Sequence, residues 1–138
     1  MTEITEEQRK RAADSLHSLP FAKLIGMRLV DLRSEEAVIE IGMRDELRQP
    51  QGVLHGGVTA TLIDTAMAFA VITRLGPEEK ATTVDLTVHY LRPHMYGSFT
   101  CTAKIVRAGR RIFTVSADVV NEEQKLIATA VSTYMKIT

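Results

Sequence analysis

Val58-Thr-Ala-Thr-Leu-Ile-Asp64-Thr-Ala-Met-Ala-Phe-Ala-Val-Ile72 is the stretch that decides the fold. It contains no Lys, Arg, Glu or Gln. It is too long for an ordinary strand and rich in Ala, Leu and Met, so it reads as a helix. A helix apolar on nearly every side is a buried helix. Gly76-Pro77 is expected to stop it.

Working outward, the flanks alternate as strands do. Upstream, Met27-Arg-Leu-Val-Asp-Leu is short and apolar-rich, and in Ala37-Val-Ile-Glu-Ile-Gly-Met the residues Ala37, Ile39 and Ile41 share a face. Arg33-Ser-Glu-Glu reads as the turn between them, and a polar loop with Pro50 runs from Arg44 to Gln51. Downstream, Val84, Leu86, Val88 and Tyr90 alternate with Asp85, Thr87 and His89. Phe99, Cys101, Ala103 and Ile105 form the next run, and Phe113, Val115, Ala117 and Val119 the one after. A last strand spans Leu126 to Ile137. The turns at Ala108-Gly-Arg and Asn121-Glu-Glu-Gln are short, which argues for antiparallel pairing. A partly exposed helix over about residues 5–18 precedes all of this. Thr5 is placed to cap it, and Leu16, Leu19 and Phe21 to dock it on the core. The layout is α+β: an antiparallel sheet wrapped around one central helix, in a single domain over residues 1–138.

Composition narrows the function classes. Seventeen Lys+Arg balance seventeen Asp+Glu, and a neutral chain lacks the basic field that nonspecific nucleic-acid binding needs. No continuous apolar run is long enough for a membrane span. Met1-Thr-Glu-Ile-Thr-Glu-Glu lacks the apolar core of a signal peptide. The single cysteine, Cys101, cannot form an internal disulfide, and a reducing cytoplasm is the expected location.

Two features do not fit a purely structural helix. Asp64 is the only charged residue between His55 and Arg74, and Ala60, Thr61, Met67 and Ala68 offer it no cation. A buried carboxylate is costly, so Asp64 either meets a hydroxyl, an amide or solvent, or serves as a general base or nucleophile. The second feature is His55-Gly-Gly at the helix start. The glycines either permit tight packing there or let a ligand approach the free N–H groups of the first turn, which suit a developing oxyanion. Asp64 lies eight residues past Gly56, roughly 12 Å along one helix. Both groups would have to lie within about 3 Å of one reacting carbonyl. If both are catalytic, they come from different subunits, and the chain is expected to form a two-fold dimer.

Gln49-Pro-Gln-Gly-Val-Leu-His55-Gly-Gly-Val-Thr-Ala-Thr-Leu-Ile-Asp64, with Thr83-Val-Asp-Leu-Thr-Val-His-Tyr-Leu-Arg-Pro93 beyond the helix, resembles the hotdog-fold thioesterases. The closest branch is the PaaI-like one, and the similarity runs from about residue 20 to the end. The resemblance implies a hotdog fold, homodimers commonly assembled as homotetramers, and hydrolysis of aryl-, arylacetyl- or medium-chain acyl-CoA thioesters. It implies Asp64 as base or nucleophile, the Gly56 amide as oxyanion donor, Gln49 near the thioester carbonyl and Thr83 near the attacking water. Candidate substrate- or CoA-binding positions are Gly57, Val84, Arg92, Arg107 and Arg110. The chain departs from the menaquinone-pathway relatives, which place Glu where Asp64 stands and Ser or Thr at the position of Ala68.

Thioester hydrolysis of this kind needs no metal and no organic cofactor, so none is expected. His55 is carried with the catalytic candidates, although beside two glycines its expected bond is to backbone at the helix start. His89 and His94 lack metal-ligand spacing, and Cys101 alternates with core positions. Arg107, Arg110 and Arg111 crowd one turn, either as a solvated hairpin tip or as a phosphate contact. The alternative of a noncatalytic acyl-CoA-binding protein predicts binding without turnover. A hotdog dehydratase would make His55 as critical as Asp64, and its His-Phe-Pro-Gly pattern is missing.

Overall fold

The computed structural model of the protein describes residues 3–138. The elements run α1 (Glu6–Ser18), α2 (Pro20–Ile25), β1 (Met27–Arg33), β2 (Glu36–Ile41), α3 (Gly56–Ile72), β3 (Ala81–Tyr90), β4 (Phe99–Ala108), β5 (Ile112–Asn121) and β6 (Leu126–Lys136). One six-stranded antiparallel sheet has the order β1-β2-β4-β5-β6-β3. The helix α3 touches every strand of it. Its residues Thr59, Leu62, Ile63, Ala66, Met67, Ala70 and Val71 are buried. They meet the inward positions Ile39, Phe99, Cys101, Phe113, Val115 and Val119 in one core. The described residues include no helix long and apolar enough to cross a membrane.

The expectation that α3 is buried all round is corrected. Its outer side is only partly covered within one chain, and Ile72 is 49% exposed. The helix also ends earlier than Gly76-Pro77. Its C-cap is Thr73, whose hydroxyl donates to the Ala70 carbonyl and accepts from the Glu35 N–H.

At the other end of the chain, Thr5 and Gln8 form a reciprocal cap on α1: the Thr5 hydroxyl accepts from the Gln8 N–H, and the Gln8 side chain accepts from the Thr5 N–H. Leu16 docks on the core as expected. Leu19 and Phe21 do not; they are about half exposed, and Ala22 is the buried contact instead. Pro20 starts a separate short helix, α2, which turns Phe21 outward and Ala22 inward.

The two edges of the sheet differ. At the β1 edge, α1 supplies partners: His17 Nε2 accepts from the Leu29 N–H, and Arg9 Nε donates to the Leu32 carbonyl. At the β3 edge, no side chain among the described residues bonds a backbone group of the strand. This edge is ten residues long and exposes Val84 and Tyr90, each by about half. A long bare edge with apolar side chains is a pairing surface.

Candidate active site

Asp64 does not stand alone. The Thr83 hydroxyl donates to Asp64 Oδ1 at 2.9 Å. The Tyr134 hydroxyl lies 2.5 Å from the same oxygen and 2.7 Å from the Asp64 carbonyl. Oδ2 has no partner among the described residues. Thr83 and Tyr134 are directly opposed across β3 and β6. Thr83 reaches the helix because the register of β3 slips between Thr83 and Asp85. Such a bulge adds one residue and reverses the parity of the strand on one side of it. Thr83 therefore faces inward with Leu86 and Val88, while Val84 turns out. The simple alternation expected of Val84, Leu86, Val88 and Tyr90 is broken at Val84 for this reason, and again at Tyr90, which is exposed. Burial pushes the Tyr134 hydroxyl well above the usual tyrosine range, and its bond to Asp64 adds to the rise. It stays a protonated donor at neutral pH.

The N-terminal end of α3 is built around His55. Its Nδ1 accepts from the Gly57 N–H at 2.8 Å, capping the helix as expected of a backbone-bonding imidazole. A Cβ at Gly57 would sit 3.0 Å from that nitrogen, so Gly57 leaves room for the cap. A Cβ at Gly56 would meet the Tyr90 ring at 3.2 Å, and the Tyr90 hydroxyl donates to the Gly56 carbonyl at 2.6 Å. Both glycines thus have a packing reason. The N–H groups of Val58 and Thr59 bond the His55 carbonyl. With Gly57 taken by His55, Gly56 is the one first-turn N–H without an acceptor among the described residues.

A cavity of about 540 Å³ opens at this end, and Gln49, His55, Gly56, Gly57 and Arg92 all line it. The Gln49 carbonyl oxygen Oε1 accepts from the Gln51 N–H and its Nε2 makes a long 3.4 Å bond to Gln51 Oε1, which leaves the second amide hydrogen without an acceptor among the described residues. The chain therefore carries two clusters along α3, one at its N-terminal end and one at its middle. Gly56, Gln49, His55, Gly57 and Arg92 form one; Asp64, Thr83 and Tyr134 form the other.

Comparison with known proteins shows the family. The family model of the thioesterase superfamily matches residues 51–128, which hold α3, β3, β4 and β5. The chain belongs to the thioesterase superfamily. The medium/long-chain acyl-CoA thioesterase YigI of Escherichia coli is 30% identical to it over 96% of both chains. A thioesterase of Haemophilus influenzae superposes with a TM-score of 0.90 at 25% identity, covering 100% of this chain and 96% of that one. A mutant of the phenylacetic acid degradation protein PaaI of Thermus thermophilus superposes with a TM-score of 0.78 at 32% identity, over 85% of this chain and 98% of that one. The sheet wrapped on α3 is the hotdog fold, and the protein is a thioester hydrolase.

The remaining candidates of this thioesterase fall in different places. Val84 is exposed on the bare β3 edge. Arg107 and Arg110 are exposed around the β4–β5 turn. That turn lies at the Asp64 end of the sheet, because Phe113, just past it, pairs with Tyr134. Arg92 is at the opposite, Gly56 end. The arginines are therefore not one cluster within a chain. His94 is buried, bonds the Gly97 carbonyl through Nε2 at 2.8 Å and packs edge-on against Phe99, which makes it structural.

Tyr134 is the residue that sequence reading missed. It looks like one more inward aromatic of the last strand, and nothing in the order of residues points its hydroxyl at Asp64.

Proposed function

We propose that the protein hydrolyses acyl-CoA thioesters to the free acid and CoA, as a homodimer with two equivalent sites. The observation that carries the reading is the pair of unsatisfied groups on α3: the Gly56 N–H at its start and Asp64 Oδ2 about 12 Å further along. One carbonyl cannot reach both in a single chain.

The bare β3 edge supports the way two chains would join. Two β3 strands pair antiparallel about a two-fold axis near the strand centre. That places Thr83 of one copy opposite Tyr90 of the other. Thr83 holds Asp64, and Tyr90 holds Gly56. The Asp64 cluster of one copy thus meets the Gly56–Gln49 cavity of the other. A tetramer built of two such dimers belongs to the same proposal, and mass in solution reads both steps.

In this site the thioester oxygen accepts from the Gly56 N–H and from the Gln49 amide, so both donors stabilise the oxyanion. Asp64 Oδ2 acts as base or as nucleophile. As a base it takes a proton from water, whose oxygen attacks the carbonyl carbon. The tetrahedral intermediate then breaks its C–S bond, and the proton passes to the leaving thiolate. As a nucleophile it forms an acyl anhydride and releases the CoA thiolate, and water then opens the anhydride. Single turnover in H₂¹⁸O separates the two routes, since only the anhydride route can leave label in Asp64. Thr83 and Tyr134 hold Oδ1 and so aim Oδ2. His55 keeps Gly57 engaged and the helix start fixed. Gly57 borders the thioester, Val84 approaches it only through its backbone on the paired β3 edge, and Arg92, Arg107 and Arg110 from the two copies lie at the ends of the joined site, suited to the phosphates of CoA.

The test is thiol release from phenylacetyl-, hydroxybenzoyl-, hexanoyl-, decanoyl- and palmitoyl-CoA, with wild type beside Asp64→Asn. Turnover by wild type, reduced by about 10²-fold or more in the variant, supports the reading. Binding of these esters by folded wild type without any turnover would replace it with a noncatalytic acyl-CoA-binding role.

A further inference from the structure

A second cavity, of about 620 Å³, lies between α1 and the C-terminal end of α3, away from both clusters. Its carbon walls come from Ala12 on α1, Leu32 on β1, and Phe69, Ile72 and Leu75 on or just after α3. Apart from the Ser15 hydroxyl, its polar lining side chains are already engaged within the chain. Gln8 caps α1. Arg11 pairs with Glu7 at 3.4 Å. Thr73 bonds Ala70 and Glu35. Glu79 accepts from the Gly76 N–H and pairs with Lys136. With these groups committed, the cavity suits an uncharged apolar group better than a carboxylate or phosphate.

Phe69 and Ile72 line the cavity, and on the partly covered side of α3 helix geometry relates them to Asp64 by way of Ala68. At about 100° per residue, Ala68 stands about 40° around the helix from Asp64, Ile72 about 80° and Phe69 about 140°. Those three residues lead from the carboxylate across the uncovered helix face to the cavity under α1. Ala68 places only a methyl group at the start of that path. The rise along the helix from Asp64 is about 7.5 Å to Phe69 and about 12 Å to Ile72. An extended chain of single bonds advances about 1.2 Å per bond, so roughly six to ten bonds cover the distance.

We propose that this cavity holds the distal part of an aliphatic acyl chain whose thioester lies at Asp64, making chains of about ten carbons or more the preferred substrates over aryl and short acyl groups. The proposal rests on the thioesterase reading. It ties chain-length selection to α1 and the end of α3. A hexanoyl chain stops short of the cavity, whereas decanoyl and dodecanoyl chains enter it.

Ile72→Trp and Ala12→Phe fill the cavity from two different elements. The measurement is kcat/KM for hexanoyl-, decanoyl- and dodecanoyl-CoA, read as the ratio of long to short chain. That ratio is independent of how much of each variant folds. In both variants the dodecanoyl-to-hexanoyl ratio is expected to fall by about four-fold for each methylene excluded. A ratio equal to wild type in both variants overturns the proposal. The same comparison is made by Kd in an Asp64→Asn background, where no ester is consumed. Absence of turnover in wild type would defeat the thioesterase reading alone, because the Kd ratio would still report whether the tail occupies this cavity.

Discussion

Thr83 and Tyr134 oppose each other on neighbouring strands, and their hydroxyls converge on one oxygen, Asp64 Oδ1, at 2.9 and 2.5 Å. A hydrogen bond to a charged group is worth about 1.5–3 kcal/mol. Tyr134→Phe keeps the buried ring and removes only the donor. We expect kcat to fall by about 10-fold or more with KM within about two-fold, because the carboxylate is still present but no longer aimed. Thr83→Ala is expected to cost less, its bond being longer. The double variant should lose less than the product of the two, since both act on one oxygen. Wild-type kcat in Tyr134→Phe would remove Tyr134 from the site.

His55 caps α3 through Nδ1, and we expect it to act on the helix rather than on the substrate. Loss of its cap in His55→Ala should cost about 1 kcal/mol of stability. His55→Asn supplies another capping oxygen and should restore most of the stability, with kcat near wild type. Gly57→Ala should destabilise in the same way by crowding the imidazole. Chemical denaturation and steady-state kinetics read the two effects apart. A stable His55→Asn variant with kcat reduced by about 10²-fold or more would instead make the imidazole catalytic.

Cys101 is fully buried, and that burial pushes its thiol well above the ordinary range, with Asp118 adding to the shift. The folded state therefore holds its proton where the unfolded state loses it. The stabilising effect is complete below about pH 8.5 and declines as pH rises beyond, by up to about 1.4 kcal/mol per pH unit. Urea titrations at pH 8 and pH 9.5 should show this decline, and Cys101→Ala should flatten it. A thiol reagent should react with the protein only on unfolding; rapid reaction of the native thiol would contradict the buried placement.

The β3 edge is expected to be the subunit contact. Val84→Lys adds a charge to the outward position of that strand, in the way native sheets block edge pairing. The variant should sediment as a monomer and lose activity together with the dimer. A fully active monomer would defeat the two-copy site.

Much of this architecture is legible in the order of residues, for identifiable reasons. The stretch around Asp64 excludes long polar side chains so thoroughly that a buried helix is nearly forced, and Asp64 is then conspicuous. The alternating runs of β4, β5 and β6 expose their inner faces directly. The partners of Asp64 are less visible. Strand parity assigns Thr83 outward until the bulge beside Val84 reverses it, and a bulge leaves no mark in hydrophobic alternation. Tyr134 reads as core because its ring is core; only its hydroxyl is functional, and tertiary contact alone aims it. Leu19 and Phe21 mislead for a local reason, since Pro20 begins a new helix and resets which residues face inward.

The central claim, that Gly56 of one copy and Asp64 of another make one site, is tested most directly by mixing two inactive variants. Asp64→Asn removes the carboxylate. Gly56→Pro removes the N–H at the first helical position, where the backbone tolerates proline because His55 is already extended (φ −66°, ψ 129°); its Cβ would meet the half-exposed Tyr90 ring at 3.2 Å, so that ring has to give way, and folding of the variant is checked by circular dichroism. Each variant alone should be nearly inactive. Unfolded together and refolded as an equal mixture, half of the dimers combine the two variants, and each of these has one intact site. Recovery of about a quarter of wild-type activity is expected. A mixture no more active than its separate components would contradict it.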